Sequence, residues 1–166
     1  MAAADGVRPA DVQRHIERML GEEARLLGSL EQLLRSEAEI LRGDDVDAIE
    51  HIGSARHQCI DALTGLESER AEACRLLAGG SGRDGFEKLL DWCDPAHSLR
   101  ARWLANLDCA RRCKNLNDRN GAVVTARLNR VQQLLAQLRG TSPPSTYGPR
   151  VAAGAAVLGY RDLGCA

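Results

Sequence analysis

Three long stretches of this chain repeat their apolar residues at intervals of three and four, a period that only a helix turns into one face. In the first, Val12, Ile16, Met19, Leu20, Leu26, Leu27, Leu30, Leu33, Leu34, Ile40 and Leu41 share a side. In the second the set is Val46, Ile49, Ile52, Cys59, Ile60, Leu63, Leu66, Ala73, Leu76 and Leu77. The third begins near Trp103 and continues to Leu138. The punctuation agrees with the period. Pro9 suits a first helical position. Gly43 can take a left-handed C-terminal cap, and Asp44 or Asp45 can cap the next helix. Gly79-Gly80 stops it, and residues 81–85 read as a loop. Phe86 to Cys93 read as a short helix, and Asp94-Pro95 as the start of the last long one, which ends at Gly140.

The expected fold is therefore all-α. It is an elongated antiparallel, coiled-coil-like bundle of three long helices and a short one, over about 9–42, 45–78, 86–93 and 95–139. The bundle occupies residues 1–140, and a flexible tail fills 141–166. Aromatic residues make up only 3% of the 166, against 44% hydrophobic overall. The core must then be built of Leu, Val, Ile and Ala, which suit helices. Thr141 to Thr146 have the composition of a linker, and the Gly- and Ala-rich stretch after them carries too little apolar bulk to fold alone.

Several function classes fall away. No Gly-rich phosphate loop, Gly-x-Ser-x-Gly turn or carboxylate–histidine metal motif is present, so no enzyme and no cofactor are expected. Cys109 and Cys113 share a helix face, but a zinc site needs two more ligands and no histidine is suitably paired. Net charge is −1, and although the third helix is rich in arginine, its cations scatter and no aromatic platform accompanies them. Nucleic acid is not an expected partner. Residues 10–78 carry 8 Lys/Arg against 15 Asp/Glu, and residues 96–139 carry 9 against 2, as self-complementary helices would. Met1 to Gly6 have neither region of a secretion signal, and the longest apolar run, Val151–Leu158, is too short to cross a bilayer. The expectation is a cytoplasmic protein with reduced thiols and no membrane insertion.

The third helix has the most informative break. A heptad seam through Trp103, Leu107, Ala110, Val124, Leu128, Val131, Leu135 and Leu138 meets Lys114, Asn117 and Gly121 at its centre. Gly costs a helix interior roughly 1 kcal/mol relative to Ala. Either this polar centre is a functional spot, or the 3.6-residue period drifts and Cys113, Leu116 and Val123 take over the core.

The stretch Asn117-Asp118-Arg119-Asn120-Gly121-Ala122-Val123-Val124 resembles the Asn-x-x-Asn-Gly motif of FlgN-type flagellar export chaperones. Arg127, Leu134, Leu135, Leu138 and Gly140 follow it in that family's manner, and Tyr147-Gly148-Pro149 is similar to its tyrosine–glycine segment. Where the family continues with Gly, Arg150-Val151 stand here. The resemblance implies a cytoplasmic chaperone that binds hook-associated (hook–filament junction) proteins. It would prevent their premature assembly and deliver them to the flagellar type III export apparatus. The client would dock as an amphipathic helix. The partner-binding residues expected from motif and pattern together are Asn117, Asn120, Gly121, Val124, Leu128, Val131, Leu135 and Leu138 on the helix. Tyr147, Leu158, Tyr160 and Leu163 would add to them on the tail. A structural coiled-coil homodimer without a secretion client is the alternative.

Overall fold

A computed structural model describes residues 7–43 and 45–139. Its long elements are α1 (Pro9–Ile40), α2 (Val46–Ala73), α3 (Gly82–Cys93) and α4 (Ser98–Leu138), with a π-helical turn over Cys74–Ala78 after α2. No strand occurs among the described residues.

The first helix is the spine. Pro9 stands at its first turn, and its buried row runs from Val12 and Ile16 through Leu20, Leu27 and Leu30 to Leu34. Asp45 caps α2 by accepting from the Ala48 N–H at 3.0 Å, and α2 then descends antiparallel to α1. α4 rises parallel to α1: Asn106 meets the carbonyl of Leu20, Cys113 that of Leu27 and Asn120 that of Leu34. The bundle is thus antiparallel across α1–α2 and parallel across α1–α4. Both outer helices pack on α1, and no Cα of α2 comes within 8 Å of one in α4.

α3 closes the end where α1 begins. Phe86, Leu89, Leu90 and Cys93 join Val12, Ile16, Met19, Leu20, Leu99, Trp103 and Leu107 in one apolar cluster. Phe86 and Trp103 meet edge to face with centroids 5.2 Å apart, and the guanidiniums of Arg70 and Arg83 lie over these two rings. A second cluster, of Leu26, Leu27, Leu30, Leu34, Leu63, Ala110 and Cys113, continues the core toward the other end.

Local differences from the sequence reading have local causes. α3 begins at Gly82 rather than Phe86, because Gly79 and Gly82 take left-handed φ angles of 62° and 66° and turn the chain early. Gly85 then lies so close to Gly80 that a Cβ on it would sit 2.8 Å from the Gly80 carbonyl carbon. The π turn at residues 74–78 rotates the end of α2, so that Leu76 points out while Leu77 packs on the core. α4 opens at Ser98, not Pro95. Asp94 still caps it: its buried carboxylate accepts from the Leu99 N–H at 2.6 Å, the Ser98 hydroxyl at 3.1 Å and the Gln13 amide at 3.2 Å.

Candidate functional site

Two polar layers fasten α4 to the spine. In one, the Asn106 amide donates to the Leu20 carbonyl and to Glu23 Oε2, both at 2.9 Å, and Arg70 donates to the other oxygen of Glu23 at 2.8 Å. In the other, Asn120 donates to the Leu34 carbonyl at 2.9 Å and to Glu37 Oε2 at 2.8 Å, while Arg56 donates to both oxygens of Glu37. Each partner recurs at two heptads: Asn106 and Asn120, Glu23 and Glu37, Arg56 and Arg70. Between the layers lies an apolar one of Leu30, Leu63 and Cys113. These buried charges are all paired, as burial requires.

These layers fix which face of α4 is inside. Leu99, Trp103, Asn106, Leu107, Ala110, Cys113 and Asn120 are buried. Cys113 therefore takes the central core place, as the drifting period allows, while Lys114 and Gly121 are exposed and Leu116 and Val123 are not buried. Asn120, expected to face a partner, turns its amide into the bundle instead. Asn117 stays exposed, with its carbonyl oxygen 3.5 Å from Arg56 Nη1. Gly121 is exposed, with nothing within 4 Å of where its Cβ would stand.

Beyond Asn120 the helix leaves its support. α4 has 41 residues and α1 has 32, lengths of about 60 and 48 Å at 1.5 Å per residue. Arg127 Nη1 still reaches the turn that follows α1, donating to the Gly43 carbonyl at 3.0 Å. From there Val124, Leu128, Val131, Leu135 and Leu138 form a stripe, widened by Val123 and Leu134, whose members are 41–84% exposed. Among the described residues nothing covers this apolar helix face, the kind of patch that marks an interaction site. Tyr147, Leu158, Tyr160, Leu163 and the expected linker and tail lie outside the described residues.

The stripe runs back into a slot between α2 and α4. Its floor is Leu27, Leu30 and Leu34, its walls include Ile60, Ala110 and Cys113, and its rim is Arg56, Lys114, Asn117 and Asp118, around a volume of about 160 Å³. Ala110, Lys114 and Asn117 continue the same helical rows as Val124 and Leu128, so slot and stripe form one surface.

The titratable groups beside it are set for structure. The guanidiniums of Arg112 and then Arg35 hold the Glu31 carboxyl down to about 2. Burial pushes the Cys113 thiol up to about 12 and raises Cys109, which donates to Glu31 at 3.4 Å. Protonated thiols are poor nucleophiles and poor metal ligands. Among the described residues no group of three or more His, Cys, Asp or Glu side chains could hold a metal ion, and no helix is long and apolar enough to cross a membrane.

The described residues thus form an all-helical bundle from which one helix extends with an exposed apolar stripe. A family model described as FlgN protein matches residues 14–153. The chain belongs to the FlgN family, a family of flagellar export chaperones rather than of enzymes. No curated protein and no solved structure matches it.

The signal for the asparagine layers was present but silent. Asn106 and Asn120 stand two heptads apart, yet their acceptors Glu23 and Glu37 lie more than 80 residues away, beyond the reach of a periodicity argument.

Proposed function

We propose that this chain is a cytoplasmic export chaperone for hook-associated proteins, the hook–filament junction proteins of the flagellum. It holds their assembly-competent helices until they are delivered to the flagellar type III export apparatus. The observation that carries this reading is the exposed stripe Val124, Leu128, Val131, Leu135 and Leu138 on the far end of α4. An amphipathic client helix laid along it would remove apolar area from water at roughly 25 cal/mol per Å² before the ordering costs of binding. The slot bordered by Asn117 offers a place at the end of that stripe for one client side chain. The tail residues Tyr147, Leu158, Tyr160 and Leu163 would add a second, tethered contact.

Calorimetric titration with C-terminal segments of the two junction proteins from the same organism tests the reading. One-to-one binding at micromolar strength or better, reduced by roughly tenfold or more in the Val131→Asp/Leu135→Asp variant, is expected. A chain ending at Gly140 separates the contribution of the tail. If the folded full-length protein binds neither segment, the client assignment falls. A stable homodimer lost in the same aspartate variant would then favour the structural coiled coil.

A further inference from the structure

The stripe on α4 is bordered by charge of one sign. Asp118 is the last carboxylate of the helix, and after it the charged residues are Arg119, Arg127, Arg130 and Arg139. Within the bundle, the cations between the helices are matched by carboxylates, Arg70 with Glu23, Arg56 with Glu37 and Arg112 with Glu31. Among the described residues no carboxylate pairs with Arg130 or Arg139.

Their placement is specific. If Leu128 and Leu135 are set at heptad a, and Val124, Val131 and Leu138 at d, Arg139 falls at e and Arg127 at g. Those positions flank the seam, where a docked helix presents its own charged residues. Arg130 lies one turn before Leu134 and borders the other edge of the apolar face. Over 124–138 the side away from the stripe, heptad positions b and f, carries Ala126, Asn129, Gln133 and Ala136, which are uncharged.

We propose that this surface takes an amphipathic helix of another protein whose apolar stripe is bordered by Asp and Glu. The inference rests on the stripe being a client surface and adds the charge of the client. A second copy of the chain would set arginine against arginine along the paired stripes, which opposes self-docking. An interfacial membrane helix carries Lys and Arg on the face opposite its apolar side. That face is neutral here, so a protein helix is favoured over anionic lipid.

The test uses two synthetic helical peptides with the same leucine stripe, one with Glu and one with Lys at its e and g positions. Each is labelled and titrated with the full chain by fluorescence anisotropy. The Glu peptide should bind roughly tenfold more tightly at about 50 mM salt, and the preference should shrink by about 300 mM as the charges are screened. Arg130→Glu/Arg139→Glu alters exposed residues and should reverse the preference. Val131→Asp should weaken both peptides and so place them on the stripe. Equal affinities, a preference unmoved by the double charge reversal, or binding to phosphatidylglycerol vesicles with no peptide binding would each overturn the inference. Junction-protein segments that bind while the two peptides do not differ would sink the charge rule and leave the chaperone reading standing. A clear Glu preference with no junction-protein binding would do the reverse.

Discussion

The Asn120 amide satisfies two acceptors at once, a backbone oxygen of Leu34 and a carboxylate oxygen of Glu37 that Arg56 also holds. Deleting it strands a buried carboxylate on one side, a loss of about 1–3 kcal/mol. Asn120→Ala should therefore lower the unfolding free energy by that much, seen as a lower urea midpoint with an unchanged slope, whereas Asn117→Ala, at an exposed site, should change it by less than about 0.5 kcal/mol. Equal effects at the two asparagines would refute the assignment of Asn120 to the interior. Glu31 makes a second residue-scale prediction. Its folded pKa of about 2 lies below the 4.5 of a free glutamate, so its contribution is complete above about 4.5 and fades as pH falls toward 2. Because Arg112 and Arg35 are more than half exposed, solvent screening keeps that contribution near 1 kcal/mol or below. Glu31→Gln should lower the melting temperature slightly at pH 7, and the gap from the unaltered protein should close between pH 4.5 and 2. A gap that persists at pH 2 would assign Glu31's effect to packing rather than charge.

α4 explains both what the sequence discloses and what it conceals. The existence of its helix, and of α1 and α2, follows from long apolar periods bounded by Pro9, Gly43 and Gly79, since local spacing alone decides amphipathic helix against strand. Which face of α4 lies inside was not legible. Apolar rows run along two faces, and the row that enters the core does so through Asn106 and Asn120, which look polar until Glu23 and Glu37 arrive from another helix. The stripe Val124–Leu138 was readable as apolar, but its exposure depends on α1 ending at Ile40, a fact about a neighbour rather than about the stripe. The start of α3 escaped because Gly82, Asp84 and Gly85 are poor helix formers, and only the left-handed φ of Gly82 and the close approach of Gly85 to Gly80 make glycine necessary there. Gly121 yields a prediction at this scale. With open space around its Cβ position and helical backbone, Gly121→Ala should stabilise the protein by roughly 0.5–1 kcal/mol in urea unfolding. Destabilisation would mean that the helix makes a contact at Gly121 that the geometry does not contain.

Across the whole molecule, packing declines from one end to the other. Three helices and α3 enclose the cluster around Phe86 and Trp103, three helices enclose the cluster around Leu30 and Cys113, and after Arg127 no residue of α4 is buried. An isolated helical segment of that length is marginal in water, because its formation depends on tertiary support. The apolar stripe that makes this end suited to a client helix is thus carried on the least supported part of the fold, and the double asparagine latch fixes where that part begins. Opening free energies should follow the same gradient. Amide hydrogen exchange is expected to be slowest over α3 and Leu99–Cys113, to quicken past Asn120, and to be fastest over 128–138. Saturating client segment should slow exchange chiefly over 124–138 and leave Leu99–Cys113 unchanged, because that stretch is already enclosed. Uniform slowing along all of α4 would mean that the client tightens the bundle as a unit. Protection confined to α2 and α3 would move the binding surface to the opposite end of the molecule.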